Sequence, residues 1–224
     1  MHKLLLTGLA MSALLQAELF TEYFNTGIVK SRIEYKDGTR TKTSKGIKHG
    51  QEKVYYETGE LAYEVKNVNG KRDGKLTWYD RDGNVLEVLH YQDGKRHGVN
   101  KLFFSDGKLR SEVSYLFDKK EGPYREYFSN GELALEVNYK NGRKEGVQKE
   151  YHPGGKLASE VTYVNGYKEG EQRWYDKSGK LIKTETFKMD RSVEVLKELR
   201  KKEPDATEML MKGLDFNPQH HRAQ

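Results

Sequence analysis

Residues 127–146 read YFSNGELALEVNYKNGRKEG, and residues 151–170 read YHPGGKLASEVTYVNGYKEG. Laid over each other, they share tyrosines, glycines, a leucine and a Glu-Val pair at the same places, 24 residues apart. The interval extends along the chain. One glycine column runs Gly46, Gly70, Gly94, Gly142 and Gly166, with Asp118 filling the gap in phase. A second runs Gly50, Gly74, Gly98, Gly122, Gly146 and Gly170, and a third Gly59, Gly83, Gly107, Gly131, Gly155 and Gly179. These are six units without an insertion. Fixed-period self-similarity marks an architecture in which neighbouring units bury each other's apolar surface.

Within a unit the apolar period is two. Leu61, Leu109, Leu133 and Leu157 follow the third glycine by two residues, Val65, Val113, Val137 and Val161 by six, and Tyr91, Tyr115, Tyr139 and Tyr163 by eight. Residues at even spacing lie on one face of a strand, and the intervening positions are mostly polar. A second strand precedes the glycine, as in Lys101–Phe104. Each unit therefore reads as strand, tight glycine turn, strand and a wider Gly-x-x-x-Gly turn. A degenerate first unit lies upstream at Tyr23, Gly27, Val29, Ile33 and Tyr35, before a phase shift around residues 39–45. The expected fold is all-β: an elongated antiparallel β-meander of about seven 24-residue hairpin repeats, with a short α-helical C-terminal cap.

The flanks differ from the array. Residues 1–17 read MHKLLLTGLAMSALLQA, a signal-peptide pattern of basic start, twelve-residue apolar run and small residue at the cut. It implies a secreted or periplasmic protein, possible association with the cell envelope included. The array spans 22–188. From 189 to 224 the pattern turns helical: Val193, Leu196 and Leu199 share a side, Pro204 ends that helix, and Asp205–Glu208 opens a second. The bland expectation is that this segment covers the last sheet edge; partner-binding helices are the alternative.

Composition narrows the function. The 224 residues carry 40 Lys and Arg against 34 Asp and Glu, a net charge of +6. The two signs are interleaved, and no basic block of the kind that marks a nucleic-acid binder is present. There is no cysteine, so disulfides, thiolate nucleophiles and thiolate metal sites are excluded. The histidines show no metal-binding spacing; His49 and His97 share a column two units apart, and His220-His221 is a polar tail. The reading assigns no catalytic residue, metal or cofactor.

The consensus Tyr-x-x-x-Gly-x-Leu-x-x-Glu-Val-x-Tyr-x-x-Gly-x-x-x-Gly resembles the MORN-variant repeat, in the form found in bacterial proteins of the YwqK family of toxin–antitoxin system antitoxins. The resemblance covers about three quarters of the chain. It implies a protein-interaction scaffold without catalysis, an antitoxin- or immunity-like role, and for some arrays contact with membrane lipid. The signal-peptide pattern departs from a cytosolic antitoxin.

Three residue columns are candidates for function. The Glu64, Glu112, Glu136 and Glu160 carboxylates could in principle pair as in glycosidases, but an open sheet has no cleft to raise a pKa, so a solvated face is expected. Lys48, Arg72, Arg96, Lys120, Lys144 and Lys168 recur at one expected turn position and are the candidates for contact with an anionic membrane surface or envelope polymer. Lys71, Lys95, Lys119 and Arg143 sit beside them, and following acids offset much of the charge. Tyr56, Trp78, Phe104, Phe128 and Trp174 are aromatics a thin sheet cannot fully bury, and are the candidate anchors for a protein partner.

Overall fold

The structure is a computed structural model and describes residues 17–36, 38, 46–195 and 197. These residues belong to two compact units, Met1–Asn84 with Tyr91–Lys95 and Val85–His90 with Arg96–Gln224. Sixteen strands are present among the described residues, and their order is the chain order of an antiparallel meander. The first unit holds β1 (Ala17–Tyr23), β2 (Val29–Lys36), β3 (Lys48–Tyr55), β4 (Leu61–Val68) and β5 (Lys71–Tyr79). β6 (Val85–Gln92) and β7 (Lys95–Arg96) have residues in both. The second unit holds β8 (Gly98–Phe103), β9 (Leu109–Leu116), β10 (Lys119–Tyr127), β11 (Leu133–Lys140), β12 (Arg143–Tyr151), β13 (Leu157–Val164), β14 (Tyr167–Tyr175), β15 (Leu181–Lys188) and β16 (Arg191–Ser192). Two strands per 24 residues is the expected hairpin repeat, and the degenerate first unit is the hairpin β1–β2.

The structure corrects the reading of the two turns. The supposed tight turn is the longer one: Tyr151 pairs with Leu157 across residues 152–156, closed by the Gly155 amide donating to the His152 carbonyl at 3.0 Å. The supposed wide turn contains the tight one. Lys140 pairs with Arg143 across Asn141-Gly142 alone, with φ of 52° and 82°. Two successive positive φ values define a two-residue hairpin turn whose twist matches that of the strands, which is why Asn-Gly occupies it. The rest of the Gly-x-x-x-Gly segment is strand. Its second glycine, Gly146 at φ 83°, lies in a bulge between the pairs Asn138–Glu145 and Glu136–Lys149.

Two of these turns have no glycine. Phe117-Asp118 (φ 47° and 70°) and Met189-Asp190 (φ 47° and 66°) take the same conformation with side chains that disfavour it. Each is held from the preceding repeat. The Asp118 carboxylate accepts the Arg96 amide at 2.8 Å, and the Asp118 amide donates to the Arg96 carbonyl at 2.9 Å. Asp190 makes the same two bonds with Lys168, at 2.7 and 3.1 Å. An aspartate therefore replaces the glycine by adding a hydrogen bond across repeats, which offsets backbone strain.

The core is a row across the strands. Val65, Val137 and Val161 are buried as their periodicity predicts. The residues paired to that column position from neighbouring strands are Glu52, Leu76, Asn100, Tyr124, Gln148 and, where the column has Glu185 instead of valine, Gln172; all but Tyr124 are buried. Half of the buried row is thus polar, which a search for apolar stripes could not find.

The termini are described only in part. β1 begins at Ala17, five residues ahead of the array start at 22; the rest of the segment read as a signal peptide lies outside the described residues. Residues 193–195 and 197 are helical, where the C-terminal helix was expected to begin. The remainder of that helix, the second one and His220-His221 lie outside the described residues, as do residues 39–45.

Candidate binding surface

The basic column lies on strands rather than in turns. Every member is half-buried, and from Arg72 to Lys168 each stands two residues past the hairpin turn with its cationic group above the ring of the next repeat's aromatic column. Arg72 lies 5.5 Å from the Tyr91 centroid, Arg96 4.2 Å from Tyr115, Lys120 4.7 Å from Tyr139, Lys144 4.8 Å from Tyr163 and Lys168 4.9 Å from Phe187. Lys144 and Lys168 also donate to the buried Gln148 and Gln172, at 2.7 and 2.9 Å. Burial pulls the Lys144 ammonium below the usual lysine range. The exception explains the rule. Where the aromatic column has Asn67, Lys48 turns to the buried Glu52 at 2.5 Å, and Glu52 also accepts from Asn67 at 2.8 Å and Tyr63 at 3.0 Å. Burial opposes the Glu52 charge, but bonds from Lys48, Asn67 and Tyr63 win and hold its carboxyl below the ordinary value; burial and that carboxylate push the Tyr63 phenol up to about 12.

The Glu column holds repeats together. Glu64, Glu112, Glu136 and Glu160 accept hydrogen bonds from Tyr79, Tyr127, Tyr151 and Tyr175 of the following repeat at 3.0, 3.3, 3.0 and 3.0 Å. At Val88 the column lacks the carboxylate, and the partner fifteen residues on is Phe103 instead of tyrosine. The donor disappears with its acceptor, so neither is left unsatisfied. The same carboxylates face cations on adjacent strands: Lys101 pairs with Glu112, Arg125 with Glu112 and Glu136, Lys149 with Glu136 and Glu160, and Arg173 with Glu160. Alternating charge crosses the exposed face of the second unit. The carboxylates are occupied by tyrosines and cations, an arrangement for cross-strand stabilisation.

The acids that follow the basic column also have a structural role. Glu121, Glu145 and Glu169 accept the amides of Asn141, Asn165 and Met189, at 2.7, 2.9 and 3.2 Å. Each carboxylate caps the hairpin turn of the next repeat.

All five candidate aromatic anchors are half-buried. Tyr56 donates to the Tyr79 carbonyl at 2.7 Å, reaching into the next repeat, and His152 contacts the Tyr175 carbonyl at 2.8 Å from the same column. Trp78 packs on Tyr63 at 4.5 Å between ring centroids, and Trp174 lies under Lys183 at 4.6 Å. Phe104 and Phe128 open their loops, Phe104 with Arg110 at 5.9 Å.

Two surfaces emerge that sequence reasoning missed. On the exposed face of the second unit, Val99, Pro123 and Val147 stand in one column on alternate strands. Around Pro123 and Val147 a depression of about 260 Å³ is lined by Arg125, Glu136, Asn138 and Lys149. The column follows the second glycine, where a turn was expected; its apolar members at 24-residue spacing were the available signal. The second surface lies at the hairpin turns. The exposed cations are Lys71, Lys95, Lys119 and Arg143, one residue before the basic column. Lys119, Arg143 and Lys140 border a second depression, of about 390 Å³, with Asn141, Glu145 and Asn165.

The MORN repeat variant model matches residues 48–67, 72–93, 96–116, 120–141, 144–165 and 168–189. The chain belongs to this family. MORN repeats generally mediate binding and scaffolding, and the family is typically non-enzymatic. The six matched stretches run from one basic column member toward the next hairpin turn, so the family signature coincides with the contacts just described. No curated protein matches the chain. Among solved structures, two of TarM are similar to it at 14% identity and a TM-score of 0.30, over 43% of this chain and 19% of theirs. One is titled as a mutant of the S. aureus protein in complex with fondaparinux, alpha-GlcNAc-glycerol and UDP. The chain spans about a fifth of those proteins, and the likeness carries no argument about activity.

Proposed function

We propose that this MORN-variant array is a non-enzymatic binding module that engages a protein partner through the exposed face of its sheet, in an antitoxin- or immunity-like role. One observation carries the reading: Val99, Pro123 and Val147 form an exposed apolar column flanked by the alternating charges of Lys101, Arg125, Glu136 and Lys149. An apolar centre with a charged rim is the composition of a protein-binding patch. Phe104 and Phe128 are half-buried aromatics of the same unit. The resemblance to YwqK-type antitoxins supports a toxin-like partner, and the signal-peptide pattern supports one met in the envelope or outside the cell.

The test is capture of a partner from envelope extract by the intact chain, repeated with Val147→Asp and with Phe128→Ala. Both variants are expected to lose at least tenfold in captured partner while their circular dichroism is unchanged. Unchanged capture by both sinks the reading.

A second reading, binding of anionic head groups or an envelope polymer, is supported by Lys119, Lys140 and Arg143 around one depression. Lys120, Lys144 and Lys168 support it less, because their cations are engaged with rings and amides. Anionic vesicles separate the two: this reading requires salt-sensitive association that Lys119→Glu with Arg143→Glu abolishes, and it fails if vesicles are not bound.

A further inference from the structure

We propose that the hairpin-turn margin of the second unit's sheet docks an acidic segment of a partner protein, with carboxylates at its middle and apolar side chains toward its ends. Three successive turns build this margin. Leu116 stands opposite Lys119 across Phe117-Asp118, Lys140 opposite Arg143 across Asn141-Gly142, and Val164 opposite Tyr167 across Asn165-Gly166. Leu116, Phe117, Val164 and Tyr167 are 48%, 47%, 43% and 45% exposed, and the exposed Lys119, Lys140 and Arg143 lie between them. Exposed apolar residues scattered singly are ordinary, but these four bracket one cation cluster. From β9 to β14 the margin is roughly 24 Å long at the usual strand spacing, a length that an extended segment of about eight residues crosses. None of these residues belongs to the Val99, Pro123 and Val147 column, so the margin is a second surface.

Charge decides the sign of the occupant. No hydrogen bond or ion pair engages the side chains of Lys119, Lys140 and Arg143 among the described residues. The nearby acids are turned to other tasks: Glu121 and Glu145 accept the turn amides of Asn141 and Asn165, and Asp118 is held by Arg96. Three uncompensated cations at the centre of a surface favour a partner of opposite sign and suppress a basic one. They border the depression of about 390 Å³, which Asn141 and Asn165 also line, so their charge is offered to a group that enters it, such as a side-chain carboxylate. The flanking apolar side chains are each more than half covered. They form shelves for a partner's side chains rather than wedges for a bilayer.

Random octapeptides displayed on phage are selected against the full-length chain, and the enriched peptides are remeasured by fluorescence anisotropy. The expected peptides carry acids in the middle and apolar residues toward the ends. Lys140→Glu with Arg143→Glu weakens their binding at least tenfold with circular dichroism unchanged, and Tyr167→Ser weakens it at least threefold. Lys177→Glu with Lys180→Glu, in the loop between β14 and β15, makes the same charge change away from the margin and leaves binding within about twofold. Equal weakening by that pair would assign the binding to net charge and overturn the proposal. So would enriched peptides without acids, or a failure to enrich any, including the case in which the chain's own C-terminal segment covers the margin. Peptides that are lost with Val147→Asp and kept with Lys140→Glu and Arg143→Glu would place them on the apolar column, overturning the margin as a site while leaving partner binding at the column standing. Phosphatidylglycerol vesicles that bind through Lys140 and Arg143 when no peptide is enriched would give the margin to a membrane surface and overturn it as well.

Discussion

Residues 48–67 and residues 144–163 occupy the same repeat positions and solve the same problem differently. In the second stretch Lys144 lies on the Tyr163 ring and donates to Gln148. In the first, Asn67 stands where the tyrosine would be, Glu52 stands where the glutamine would be, and Lys48 pairs with Glu52. A cation enters the half-buried side of the sheet in both, and the repeat supplies either a ring and an amide or a carboxylate with three donors. The comparison teaches that the repeat conserves a satisfied cation rather than a residue. Column members change together, as Val88 and Phe103 also do.

The largest expected effect comes from removing the carboxylate that the first arrangement depends on. Glu52→Ala leaves the buried Asn67 amide and the Lys48 ammonium without their acceptor, and a loss of about 2–3 kcal/mol is expected in chemical denaturation. The comparison breaks if Glu52→Gln with Asn67→Tyr, which imports the second arrangement, is no more stable than Glu52→Ala. The pH dependence sharpens it. The folded Glu52 carboxyl is held below its ordinary value of 4.5, so its contribution is complete above that pH and is lost as pH falls through the depressed folded value. The stability gap between the parent and Glu52→Gln should therefore close as pH falls below the ordinary carboxylate value and through the depressed folded one.

A smaller effect is expected where a donor meets its acceptor across repeats. Tyr151→Phe removes the bond to Glu136 and should cost about 1 kcal/mol in thermal or chemical unfolding. Phe103→Tyr should gain nothing, because Val88 offers no acceptor; adding Val88→Glu should recover about the amount lost in Tyr151→Phe. An equal gain from Phe103→Tyr alone would show that the two substitutions are unrelated.

Of similar size is the effect of changing a hairpin glycine. A methyl group at Gly142 would meet no atom within 4 Å, so Gly142→Ala isolates the penalty of positive φ, about 1 kcal/mol. Gly94→Ala should cost slightly more, because the Lys71 stem already lies 3.4 Å from the added carbon. Equal costs would show that this inter-repeat contact yields freely.

The smallest effect is expected at the second arrangement's cation. Lys144→Met keeps the stem and removes the charge, and roughly 0.5–1 kcal/mol should be lost. A loss as large as that of Glu52→Ala would mean the two arrangements are not equivalent.

Much of this was open to inspection in the residues. The 24-residue interval, the alternation within it and the glycine columns determined an antiparallel meander of hairpins, because a period of two lets a strand bury one side and glycine or Asn-Gly permits the positive φ that a reversal requires. The Val65, Val137 and Val161 stripe was recognised for the same reason. Which of the two reversals is tight was not, since both are glycine-rich and only the strand pairing shows that Lys140 meets Arg143 directly. Three-dimensional pairing also decided the direction of the charges. Lys120, Lys144 and Lys168 read as an outward ladder, but they turn onto the rings of the next repeat, nineteen residues on, and their neighbours Lys119 and Arg143 face solvent. A residue's contacts across a meander lie at separations of 15, 19 and 22 residues, set by where turns and bulges place the register. Local alternation carries no such information, so the sequence alone could determine the strands and the repeat, and only the tertiary structure could decide which side chains are occupied and which remain for a partner.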